Sequence, residues 1–169
     1  MPLSWKQTLS NKIEREANDR LAEKYFHIWD TYPIQRLSHE IESGWLTQEV
    51  RPGSRVLLAG SGGGREIDAL RTAREIVALD ISPEMLKVGQ QRYPDPRISW
   101  RLGDIEAMDR DLTGFDAVIA IGGVLIYLRH PREALRAMHA ALNPSGTLIL
   151  SVMNRCHPTE SYKNDERSG

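Results

Sequence analysis

Arg55-Val56-Leu57-Leu58-Ala59-Gly60-Ser61-Gly62-Gly63-Gly64-Arg65-Glu66-Ile67-Asp68-Ala69-Leu70-Arg71 is the stretch on which the fold of this chain turns. Val56 to Ala59 is an apolar run too short for a helix, bounded by Pro52-Gly53 and by glycines, and it reads as a buried strand. Four glycines in residues 60–64 remove Cβ atoms that would hold a ligand off the backbone, and they permit positive φ in a tight turn. The spacing of Arg65 to Arg71 predicts a helix opening from that turn, with free N–H groups that attract a carboxylate or phosphate. A second apolar run, Ile76 to Leu79, ends in Asp80, twenty residues after Gly60. An acid at that strand end is placed to accept from the two hydroxyls of a ribose. Strand, glycine turn, helix, strand and acid make a nucleotide-binding half of a doubly wound sheet.

The alternation continues on both sides of this unit. Ser82-Pro83-Glu84 is a strong helix start, and the helix it opens carries Met85, Leu86 and Val88 and stops before Pro94-Asp95-Pro96. Ile98–Leu102, Phe115–Ile121 and Thr147–Val152 read as further strands, Pro131–Leu142 as a helix, and Asn143-Pro144-Ser145-Gly146 as a turn. Upstream, Ser4-Trp5-Lys6-Gln7 has the form of a capping box. Ile13, Ala17, Leu21, Tyr25 and Ile28 predict one apolar stripe on a helix reaching about Trp29, which Pro33 ends. A second helix over 34–50 carries Ile34, Leu37, Ile41, Trp45 and Leu46 on a common side. These helices read as an accessory layer over the sheet edge or ligand mouth, with Tyr25, Phe26, Trp29 and Tyr32 suited to a lid over a flat ligand. The expected division is a helical segment at 1–50, a sheet core at 51–153 and a polar tail at 154–169.

Composition excludes several classes. The chain has 169 residues, 40% hydrophobic and 27% charged, with a net charge of -1 that gives no general attraction to nucleic acid or an anionic membrane. Cys156 stands alone, so no internal disulfide is expected, and no Cys/His spacing suits a metal. No apolar run reaches transmembrane length, and a cytoplasmic protein is the expectation.

Strands alternating with helices imply a mainly parallel α/β sheet covered on both faces. Over roughly residues 50–152 the motifs resemble those of the class I S-adenosylmethionine-dependent methyltransferases. Gly60-Ser61-Gly62-Gly63-Gly64 is similar to that family's Gly-x-Gly-x-Gly turn, and Ala78-Leu79-Asp80-Ile81-Ser82-Pro83-Glu84-Met85 to its second motif. Leu102-Gly103-Asp104-Ile105-Glu106, Phe115-Asp116-Ala117-Val118 and Leu142-Asn143-Pro144-Ser145-Gly146 resemble the segments that follow, in the same order.

The resemblance implies a Rossmann-like sheet of about five strands in the order 3-2-1-4-5, and S-adenosylmethionine as cofactor. It implies that Gly60, Ser61, Gly62 and Gly64 approach the cofactor's methionine portion and that Asp80 holds its ribose. Ile81 and Met85 would pack on the adenine, Asp104 would accept from its exocyclic amine, and Ile105 would offer a backbone N–H to a ring nitrogen. The loop from Ile121 to Tyr127 would lie beside the transferable methyl, with Tyr127 and His130 the nearest candidates for acid–base work.

Two departures stand out. Position 58, where the family often has an acid, is Leu58, which either weakens polar contact near the cofactor's amino group or moves it to another residue such as Arg65 or Glu66. Family members also usually continue with two further strands, so the expectation is either a member shortened at its C-terminus or an incomplete sequence. A sheet lacking those strands would expose an edge beside the fifth strand, which invites a homodimer or covering by the N-terminal helices. Methyl transfer to a small-molecule acceptor is the leading reading. A non-catalytic cofactor-binding protein acting through a dimer or partner, and an NAD-dependent dehydrogenase, stay open beside it. Arg65, standing where a dinucleotide fingerprint has its third glycine or alanine, speaks against the last.

Overall fold

The computed structural model describes residues 5–152, so the capping box at Ser4 and the polar tail lie outside the described residues. Five strands form one sheet: β1 (Arg55–Ala59), β2 (Glu75–Asp80), β3 (Ile98–Leu102), β4 (Phe115–Ala120) and β5 (Leu142–Leu150). All pairings are parallel, and the order is β3-β2-β1-β4-β5, as the resemblance implies. The helices are α1 (Trp5–Leu21), α2 (Tyr25–Thr31), α3 (Pro33–Glu49), α4 (Pro83–Arg92), α5 (Val124–Tyr127) and α6 (Pro131–Ala141). No helix among the described residues is long and apolar enough to cross a membrane.

The middle of the sheet is buried on both faces because β1, β2 and β4 are apolar over most of their length. Alternate residues of one strand feed two separate cores. Val56 and Leu58 pack with Leu46 and Val50 at the end of α3 and with Leu70, while Leu57 and Ala59 pack with Phe115, Val118 and the α6 residues Ala134, Met138 and Ala141. The α6 stripe is the inward one expected from its spacing. Helix α4 starts where Ser82 Oγ accepts from Met85 N at 3.1 Å, and Pro83 follows at the first turn. Its Gly89 meets Trp100 of β3 so closely that a Cβ there would lie 2.1 Å from the indole.

Four local features differ from the sequence expectation. The helix predicted over 65–71 is a 3-10 turn at Ile67–Leu70. Only residues 65–74 connect Gly64 to β2, too few for a full α-helical crossover, and α3 covers that face of the sheet in its place. The long N-terminal helix is broken by a 3-10 turn at Ala22–Lys24, which resets the helical phase and leaves Ile13 and Leu21 about half exposed. On α3 the apolar set Ile34, Leu37, Ile41 and Trp45 is about half exposed, and only Leu46 of that set is buried. The opposite side of α3, carrying His39 and Glu42, faces the glycine turn through Arg65. Finally, β5 begins at Leu142 opposite Phe115 and resumes at Thr147 opposite Ala117, so the expected turn at 143–146 is a bulge within the strand.

Candidate functional site

The carboxyl ends of β1, β2 and β4 open into a cleft whose space, about 940 Å³, includes open solvent. This is where an open parallel sheet reverses its strand order and places ligands. The glycine turn forms the floor. Gly60 has φ 79° and Gly62 φ 50°, both in the left-handed region, and a Cβ on Gly60 would sit 2.7 Å from Val124. Ser61 N donates to Leu79 O at 2.9 Å and Gly64 N to Ser61 O at 2.8 Å. Ser61 and Gly64 thus shape the turn, whereas Gly60 and Gly62 line the cleft.

Asp80 ends β2 and is buried. Its Oδ2 accepts from Gly62 N at 2.7 Å and its Oδ1 from Ser82 N at 2.9 Å, so one carboxylate joins the glycine turn to the start of α4. Burial raises its pKa above the ordinary aspartate value, against the lowering pull of those N–H donors. Ile81 and Met85 continue the wall, and Asp104 and Ile105 follow β3 on the same side. Asp104 Oδ1 accepts from Glu106 N at 2.8 Å and caps the short 3-10 turn beginning at Ile105. Ile121, after β4, completes this set. Tyr127 lies on the rim, 62% exposed. His130 is exposed and absent from the lining, and its backbone N–H donates to Glu106 Oε1.

The N-terminal helices contribute more of the wall than the sequence foretold. Glu14 and Asn18 of α1 line the cleft, and Asp19 accepts from Ser82 Oγ at 2.5 Å, tying α1 to the α4 cap. Tyr25 lies against the glycine turn, where a Cβ on Gly62 would stand 2.8 Å from its hydroxyl, and Phe26 meets it edge-on with ring centroids 5.2 Å apart. Tyr32 of the same aromatic group is exposed, and the Trp29 side chain lies outside those described.

Next to the turn stands a buried charge cluster. Arg65 Nη2 meets Glu42 Oε2 at 2.6 Å, its Nε meets Glu66 Oε1 at 2.7 Å, and its Nη1 approaches His39 Nδ1 at 3.2 Å. Burial disfavours the Arg65 charge, yet Glu66, Tyr25 and Glu42 outweigh it and hold the guanidinium above its usual pKa. Burial pushes the Glu66 carboxyl up to about 7 despite Arg65 beside it. His39 is driven down by burial and by the neighbouring guanidinium. Glu42 Oε1 also accepts from Gly122 N at 3.2 Å, so one α3 side chain spans the loops after β1 and β4. The sequence signal for this cluster was two charges, Arg65 and Glu66, directly after a glycine turn. Among the described residues no group of three His, Cys, Asp or Glu is arranged to hold a metal.

A family described as "Methyltransferase domain" matches residues 56–146. The ubiquinone biosynthesis O-methyltransferase of Xanthomonas oryzae pv. oryzae is 33% identical over 157 residues, covering 88% of this chain and 65% of that protein. The demethylmenaquinone methyltransferase of Renibacterium salmoninarum is 38% identical over 109 residues, 64% of this chain and 44% of its own length. Among solved structures, CalS10, an amino pentose methyltransferase of Micromonospora echinaspora with SAM bound, superposes with a TM-score of 0.61. It is 27% identical, over 69% of this chain and 52% of that one. The chain thus spans about 65% of the length of the first curated relatives it matches.

Proposed function

The chain belongs to the methyltransferase-domain family, and from that premise we propose that it transfers a methyl group from S-adenosylmethionine to a small-molecule acceptor. One observation carries the proposal: a single cleft gathers a glycine turn with left-handed backbone, a buried strand-end acid, an apolar wall and a second acid after β3. Each suits a different part of that cofactor. Gly60 and Gly62 leave room for its amino-acid end, and Ser61 and Gly64 hold the turn's shape. Asp80 keeps lone pairs for ribose hydroxyls beyond the two N–H donors it accepts. Ile81, Met85 and Ile105 offer apolar and sulfur contacts to a flat base, Asp104 an acceptor at its edge, and Ile121 closes the wall toward the methyl. CalS10, with SAM bound, and the methyltransferase names of the sequence relatives support this choice of cofactor.

When bound, the cofactor's sulfonium supplies an activated methyl for in-line displacement. The protein's share is positioning and exclusion of water. The α1–α2 wall and the Val124–Tyr127 segment flank the cleft and bound the acceptor's space, with Tyr127 on its rim. We assign no general base; of the two candidates, Tyr127 adjoins the cleft and His130 does not line it. The outer strand β5 is the edge along which two chains would pair, which light scattering of the purified chain tests.

Calorimetric titration with S-adenosylmethionine, S-adenosylhomocysteine and NAD tests the reading. Binding of the first two and none of NAD is expected. NAD binding with no response to the sulfur ligands would return the dehydrogenase reading.

A further inference from the structure

The charge cluster beside the glycine turn is short of one cation. Among the described residues Arg65 is its one positive group by salt-bridge geometry, and it is shared between Glu42 of α3 and Glu66 of its own segment. Asp80 of β2 adds another buried carboxylate to the same cleft. The further group facing Glu66 is Tyr25 of α2, whose phenol is held neutral by burial and by the Glu66 charge, while His39 of α3 stands against Arg65 and its pKa is lowered by burial and by that guanidinium. A buried carboxylate that must share its counter-ion does not hold its charge fully, and it recovers that charge when a second cation arrives.

Geometry says which cation. Glu66 lines the cleft with Gly60, Gly62 and Tyr25. It also lines a smaller void together with Leu58, Gly60 and Ser61. The carboxylate that β1 lacks at position 58 is thus supplied beside the same backbone from the far side of the glycine turn. Resting on the proposed cofactor, we propose that Glu66 receives the α-ammonium of its amino-acid end and that binding there expels a proton from Glu66 to solvent. Arg65, held by Glu42, keeps the carboxylate oriented as a positioning residue.

The free Glu66 titrates at about 7, so roughly half of the molecules carry the proton at neutral pH, and binding releases about half a proton. The affinity then rises up to about tenfold from pH 6 to pH 8, because the bound form no longer competes with protonation. The test is calorimetry at pH 7 in phosphate and in Tris, whose ionisation heats differ, with S-adenosylhomocysteine and with 5′-methylthioadenosine, which lacks the ammonium. Proton release is expected with the first ligand, none with the second, and none with the first in Glu66→Gln. Binding of S-adenosylhomocysteine by the unaltered chain without proton release overturns the assignment and leaves the cofactor standing. Failure to bind it at all overturns the cofactor reading and this inference together. Release that persists in Glu66→Gln moves the proton to another group and refutes Glu66. Should that variant not fold, equal release with both ligands in the unaltered chain refutes it equally.

Discussion

Asp80→Asn separates what the strand-end acid does for the fold from what it does for a ligand. Both carboxylate oxygens accept backbone N–H groups, from Gly62 at 2.7 Å and from Ser82 at 2.9 Å, in a side chain 7% exposed. An asparagine has one acceptor oxygen, so one of those N–H groups must face an amide NH₂. Losing a hydrogen bond to a charged acceptor and leaving a buried donor unpaired costs about 1.5–3 kcal/mol. The gain on the other side is removal of a buried charge, which burial already penalises here. The net is a loss of about 1–2 kcal/mol, or about 2–8 °C in melting temperature for a chain of this size. Urea unfolding at pH 7 measures the first figure, and a thermal scan the second. Binding of S-adenosylhomocysteine should fall at least about tenfold in the folded variant, since the amide presents a donor where a hydroxyl needs an acceptor. A variant within about 0.5 kcal/mol of the parent would refute the two-N–H account. Unchanged affinity would refute the ribose role while leaving the structural one.

Other perturbations read other parts of the molecule. Gly89→Ala should gain about 1 kcal/mol of helix propensity yet lose about 1–3 kcal/mol to overpacking, because its Cβ would lie 2.1 Å from Trp100, so urea unfolding should show a net loss. Adding Trp100→Leu should turn that loss into neutrality or gain. For Glu66 the folded pKa of about 7 exceeds the usual 4.5, so its contribution to stability is full below about pH 4.5 and disappears as pH rises through 7. The unaltered chain should therefore lose roughly 2–4 kcal/mol from this group between pH 4.5 and 8. Glu66→Gln should have the flatter profile in pH-dependent urea titrations. Glu42→Ala leaves Arg65 with Glu66 and Gly122 N–H with Ser151 Oγ, at 2.9 Å. It should cost about 1–3 kcal/mol and lower the Glu66 pKa by removing a competing acid, measurable by the same titrations.

The parallel strands and the cap of α4 were legible because each depends on local pattern, whereas the strand order and most of the cleft's lining were legible through the resemblance of the motifs to a known family. Apolar runs between glycines have only one way to be buried in a parallel sheet, and Ser82-Pro83-Glu84 satisfies its helix end whatever surrounds it. Gly60, Gly62, Asp80, Ile81, Met85, Asp104, Ile105 and Ile121 share the cleft because all stand at the carboxyl ends of parallel strands or just beyond.

What periodicity misjudged was the N-terminal layer. An apolar stripe at Ile34, Leu37, Ile41 and Trp45 speaks for burial on that side, yet α3 turns Glu42 and His39 toward the glycine turn. A buried guanidinium at Arg65 needs acids around it, and leaving it without them would cost several kcal/mol. The crossover after the turn likewise looked helical by spacing, but residues 65–74 are too few to build a helix and still reach β2. By itself, then, the sequence determined the parallel sheet, its nucleotide-type turn and the acids at its strand ends. Only the tertiary structure decided which face of α3 is inside and that Glu66 joins the cleft, because burial of a charge is settled by partners distant along the chain.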